Sequence, residues 1–139
     1  MDYRKFGETY LVRMDKGEEI LESLRELSEK EHIRLASVEA LGAVNDFTVG
    51  VLRTADKKYK ARTFTGDHEI VSLTGTIDTM GGDFYCHLHM SAGDTEGRVL
   101  GGHLNEAVIS ATCELVLEIM DGTVERRFDP ETGLNLMEF

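Results

Sequence analysis

The sequence predicts an α+β fold, a mainly antiparallel β-sheet packed with one or two helices. One segment has apolar residues at helical spacing, namely Ile20, Leu21, Leu24 and Leu27. Most of the chain beyond that segment reads in alternating or β-branched runs, such as Phe47, Val49 and Val51 and then residues 69–78. Between two of these runs stands Gly81-Gly82, a hairpin signal.

Residues 6–14 read as one strand, with Phe6, Tyr10 and Val12 on one face and Leu11 opposite. Asp15 then starts the helix, because Asp15 and Glu18 stand at capping-box spacing. Glu26 and Lys30 add an i,i+4 pair on its wet face, and the helix is expected to end near His32, where a cation suits the dipole. Its apolar stripe is ordinary core packing. Residues 38–44 form a small, apolar strand, and Asn45-Asp46 predicts a break after it. Residues 54–58 are a polar turn, and 59–64 are a short strand separate from 69–78. Residues 94–97 form another turn, and 109–120 are a long apolar run, either one buried strand or a strand preceded by a helical turn. In the tail, Leu134, Leu136 and Phe139 are expected to dock on the body.

The chain has 139 residues, 41% hydrophobic and 29% charged, which suits one soluble globular domain over 1–139. No apolar run approaches the roughly 20 residues that cross a bilayer. Residues 1–5 lack the pattern of a secretory signal, so the expected compartment is the cytoplasm. Cys86 and Cys113 fall in apolar strands without a CxxC, and both are expected to be reduced, buried small hydrophobes. The net charge of -11 weighs against free duplex DNA as a partner, since that affinity rests on Lys and Arg neutralising phosphates. The densest basic pieces are Arg53 to Arg62, with Lys57, Lys58 and Lys60 inside and Asp56 among them, and Arg126-Arg127.

The chemistry concentrates in Phe84-Tyr85-Cys86-His87-Leu88-His89-Met90 and Gly101-Gly102-His103-Leu104. Alternation along a strand puts His87 and His89 on one face and Phe84, Cys86, Leu88 and Met90 on the other. Two imidazoles one pleat apart can share an ion, and His103, from a glycine-flanked turn, completes an open three-histidine site. Zinc is the first choice, with nickel or copper as alternatives for three nitrogens. Gly101 and Gly102 read first as a tight turn or a close backbone approach, and second as an anion-binding nest. Asn105 and Glu106 read as surface residues or as partners fixing an imidazole. His68 reads as a turn histidine outside the metal set. No nucleophile motif occurs around Ser72, Ser91 or Ser110.

Residues 69–77, the glycine pair, His87-Leu88-His89 and Gly101-Gly102-His103-Leu104, with Ala40-Leu41-Gly42-Ala43-Val44 upstream, together resemble the PPC domain, the plant and prokaryote conserved domain. The similarity runs in order through nearly the whole chain. It implies a compact, largely antiparallel fold assembled as a homotrimer. Plant relatives carry the domain behind AT-hooks, and prokaryotic ones are often stand-alone and described as DNA-binding by analogy. This chain resembles the stand-alone kind, because it has no AT-hook core and its one proline, Pro130, follows Asp129. The resemblance extends the metal expectation to His87, His89 and His103.

The resulting expectation is a homotrimeric, zinc-binding small-ligand or protein-interaction module whose open metal position receives a small anionic ligand. Its rival is a metal-dependent hydrolase or lyase at the same site, with Glu39 or Glu69 as general base. DNA binding is the third reading.

Overall fold

The computed structural model describes residues 1–139 and contains eight strands and one helix. β1 (Asp2–Phe6) and β2 (Thr9–Asp15) form a hairpin. Gly7 turns it at φ +60, so residues 6–14 do not make one strand as expected. α1 (Ile20–Glu31) starts later than the Asp15–Glu18 spacing predicts. The Glu18 carboxylate does accept the Asp15 N–H at 2.7 Å, but that bond belongs to the turn before the helix. Glu19 caps the helix instead. One of its oxygens accepts the Glu22 N–H at 2.8 Å, and the other accepts the Ala107 N–H at 2.9 Å, which ties the helix start to the sheet. His32 ends the helix in the left-handed region, donating its backbone N–H to the Ser28 carbonyl.

Four long strands come next: β3 (Ala36–Arg53), β4 (Lys58–Met80), β5 (Asp83–Asp94) and β6 (Val99–Ile119). Asn45-Asp46 is not a break. The β3 ladder passes through it with a register shift, a bulge that bends the strand and leaves it continuous. Residues 59–64 and 69–78 likewise belong to one strand, β4, and the 109–120 run is the second half of β6. The strand order is β1-β2-β6-β3-β4-β7-β8, and β5 pairs with β4 on one side and β6 on the other. The pairings are antiparallel except for one contact between β4 and β7, so the expectation of a mainly antiparallel sheet with a helix holds.

The inner face buries Phe47, Leu73, Ile77, Leu88, Ile109, Leu115 and Leu117 against Ile20, Leu24 and Leu27 of the helix. On the outer face the register fixes two rows. One runs Arg4, Leu11, Val116, Glu39, Thr74, His89 and then His103. The next runs Phe6, Thr9, Glu118, Ser37, Thr76 and His87.

β7 (Glu125–Asp129) and β8 (Leu134–Glu138) form a terminal hairpin. Its leucines do not dock as expected: Leu134 and Leu136 are each 43% exposed, and Phe139 is wholly exposed. A buried ion pair holds the hairpin instead. Arg126 donates from Nε and Nη2 to the two oxygens of Asp78, both at 2.8 Å, and from Nη1 to the Asn135 carbonyl at 3.0 Å. The Asp78 side chain has no exposed surface, and its Oδ2 also accepts the Thr76 hydroxyl at 3.0 Å.

Candidate metal centre

His87 and His89 stand one pleat apart on β5, as the alternation requires. His103 is not on a turn, because Gly101-Gly102-His103 lies inside β6, where His103 pairs directly with His89. Antiparallel pairing thus supplies the third imidazole. One ligand atom from each histidine lies within 4.8 Å of the other two, and the ring centroids are 5.1, 5.2 and 5.7 Å apart. Three nitrogens at about 2.1 Å from one tetrahedral ion stand roughly 3.4 Å apart, a closure within reach of side-chain torsions.

Glycines let the strands approach closely around this cluster. A Cβ on Gly75 would lie 1.9 Å from the His87 carbonyl oxygen, and one on Gly102 would lie 2.6 Å from the Gly50 carbonyl oxygen. Gly101 meets the Met90 carbonyl oxygen in the same way at 2.6 Å. Gly101 and Gly102 therefore serve close backbone approach and do not form an anion nest.

The electrostatics suit neutral imidazoles. Burial pulls the His87 pKa down, aided by Arg126 and the other two histidines. His103 is pulled down by burial and then by His89. Unprotonated rings offer lone pairs near neutrality, which is the donor state a divalent ion requires. With half-buried His87 and His103 and exposed His89, the donor set fits an open three-nitrogen centre.

No carboxylate joins the cluster. Glu39 lies in the same row two strands from His89, across Thr74. Glu69 pairs with Ala43 and Gly93, several residues farther along β4. His68 is buried in β4 rather than set in a turn. It packs edge-on to Phe47 and makes a 2.8 Å bond between Nδ1 and the Gly66 carbonyl. Both cysteines are free; Cys113 is buried as expected, whereas Cys86, next to His87 but facing the core, is only partly buried, and desolvation pushes each thiol up to about 12.

Tyr59 is a neighbour that sequence reading missed. Its ring stands edge-on to His103 at 6.2 Å, and its hydroxyl donates to Asn105 Oδ1 at 2.5 Å. Gly50 leaves room for this ring, since a Cβ there would lie 2.2 Å from the phenol oxygen. Asn105 thus positions Tyr59. Nothing local marks Tyr59, because its place depends on the β3–β4–β6 register.

The model of the Plants and Prokaryotes Conserved domain matches residues 1–121. A protein from Bacteroides thetaiotaomicron described as a "putative DNA binding protein" superimposes with a TM-score of 0.96 at 31% identity, covering 99% of this chain and 96% of that one. A "metal-containing protein" from Archaeoglobus fulgidus superimposes at 0.88 and 31% identity, covering 100% and 99%. A plant- and prokaryote-conserved protein from Pyrococcus horikoshii superimposes at 0.86 and 31% identity, covering 99% and 95%. Among curated proteins, the bifunctional protein GlmU of Synechococcus sp. (strain JA-2-3B'a(2-13)) is 31% identical over 132 residues. Those residues are 89% of this chain, which spans only 19% of that relative.

Proposed function

Because the chain belongs to the Plants and Prokaryotes Conserved domain family, we propose that it is a metal-binding module of that family, with His87, His89 and His103 holding one divalent ion, zinc first. The convergence of three imidazoles within 4.8 Å carries this reading. The similarity to a protein described as metal-containing supports it. When bound, such an ion acts as a Lewis acid toward a ligand in its open position. The protein's part is to orient the three rings and to favour the neutral form of His87 and His103. A small anionic or carbonyl compound is the ligand class that suits that position. Self-association as a homotrimer belongs to the same reading. Leu11, Leu41, Val71 and Val116, 39–60% exposed on the outer face, support it.

The rival reading is a metal-dependent hydrolase or lyase. It requires a base near the metal, and Glu39, in the row of His89, is the better placed of the two glutamates named for that role. DNA binding draws on the descriptions of relatives and runs against the net charge of -11.

Elemental mass spectrometry of the untagged protein, beside a His87→Ala/His89→Ala variant, tests the proposal. The expected result is near-stoichiometric metal that the variant loses. No metal after incubation with zinc would remove the proposal.

A further inference from the structure

The terminal hairpin β7–β8 shares a single ladder rung with the sheet, Thr79 against Glu125. Side chains hold it there instead, and they do so on both sides of the histidine cluster. On one side, Arg126 grips the buried Asp78 and donates from Nη2 to the Thr76 hydroxyl at 3.3 Å. Thr76 pairs with His87, and Asp78 pairs with Tyr85, which stands one pleat from His87 on the same face. The Arg126 guanidinium covers the Tyr85 ring at 4.9 Å, and Asn135 Nδ2 donates to the Tyr85 hydroxyl at 3.3 Å. On the other side, Lys57 Nζ donates to the Pro130 carbonyl at 2.8 Å, at the tip of the hairpin. Lys57 precedes by two residues Tyr59, whose ring stands against His103.

The two attachments differ in strength. The Arg126–Asp78 pair is buried and bidentate, whereas the Lys57 bond is a single hydrogen bond between exposed residues. The hairpin is therefore fixed near its base and held at its tip by a contact that water competes for. Between the two lies Phe128. Strand alternation puts it on the side of the hairpin that carries Arg126, and register puts it opposite Asn135, so it faces the sheet. It is nevertheless 56% exposed, so the hairpin stands off the sheet there and leaves space beneath the ring.

We propose that the β7–β8 hairpin is a latched strap beside the histidine cluster, which controls how fast an ion or ligand enters and leaves the open metal position. With Lys57 on Pro130, the strap closes the side between Tyr85 and Tyr59. With that bond broken, the tip swings away while Arg126 keeps the base in place. A gate of this kind changes entry and exit by the same factor and leaves the equilibrium affinity as it was. This inference rests on the metal reading proposed above and adds the element that sets its kinetics.

The test is stopped-flow zinc uptake, and zinc transfer to excess chromogenic chelator, for the wild type, Lys57→Ala and Lys57→Cys/Gly133→Cys. A Cβ on Gly133 would stand 3.9 Å from the Lys57 Cβ, within the roughly 3.5–4.5 Å span of a disulfide, although φ at Gly133 is +75. Thermal unfolding confirms the fold of each protein. Lys57→Ala is expected to take up and release zinc about tenfold faster at unchanged affinity. The oxidised double variant is expected to exchange about tenfold more slowly than the same protein after reduction. Wild-type rates in Lys57→Ala, together with equal rates in the oxidised and reduced double variant, overturn the strap and leave the metal centre standing. A change in affinity with an unchanged uptake rate also overturns it, because the hairpin then only supports the site. A wild type that takes up no zinc removes the metal reading as well.

Discussion

Replacing Gly75 with alanine should damage the histidine cluster without touching a histidine. Gly75 lies on β4 opposite Leu88, and its missing side chain faces the backbone of the next strand. An added Cβ would stand 1.9 Å from the His87 carbonyl oxygen and 2.9 Å from the Leu88 Cα. Real Cβ contacts begin near 3.0 Å, so the β5 backbone at His87 must recede by about 1 Å. The obstacle is backbone rather than a flexible side chain, and β5 is paired with β4 at this point and held by β6 from His89 onward, so no side-chain movement can absorb the strain. Overpacking of this kind costs about 1–3 kcal/mol of stability. His87 sits at the point of greatest displacement, and a supporting shift of that size costs about 10–100-fold in metal affinity. Chelator competition for zinc, read beside thermal unfolding, measures both quantities. Wild-type affinity together with wild-type stability would refute the argument that glycine is required there by close approach.

Arg126→Met should destabilise the fold by about 3–5 kcal/mol, because it strands the fully buried Asp78 carboxylate, whereas Asp78→Leu/Arg126→Met should recover most of that loss. Urea denaturation of the three proteins decides, and a single variant as stable as the wild type would sink the clamp. Cys113, buried and with its thiol pushed up to about 12, should react with a thiol reagent only after denaturant is added, and rapid labelling of Cys113 in the native protein would contradict its burial. For His87 and His103 the folded pKa lies below the ordinary 6.5, so the unfolded chain takes up protons first as the pH falls. Their contribution to stability of the metal-free protein should be complete above about pH 6.5 and decline below it, and the midpoint of thermal unfolding against pH shows whether it does. Glu31, held below the usual carboxylate range by hydrogen bonds from Tyr3 and Tyr10, adds a second acid-sensitive contribution. Tyr3→Phe/Tyr10→Phe should flatten that part of the profile.

Much of the fold was legible because its signals are local. The apolar spacing of Ile20, Leu24 and Leu27 marks the helix, and the alternation around His87 and His89 fixes which side of β5 each faces. The glycine pair at 81–82 marks the turn into that strand. Errors arose where a local signal met a longer-range partner. Asn45-Asp46 looks like a break, yet pairing on both sides carries β3 through it as a bulge. Asp15 looks like a cap, but Glu19 alone reaches both the first turn of the helix and the Ala107 amide.

The sequence by itself determined that this chain makes a mostly antiparallel β fold with a helix, that His87 and His89 share a face, and that His103 is their natural third. Those are consequences of periodicity and of residue chemistry, both properties of short segments. Only the tertiary structure decided that His103 arrives on a strand opposite His89, that Tyr59 stands beside it, and that Arg126 closes on Asp78. Each depends on register between strands far apart in sequence. A slip of one residue would turn every side chain to the other face, and no local pattern encodes which register the packed core selects.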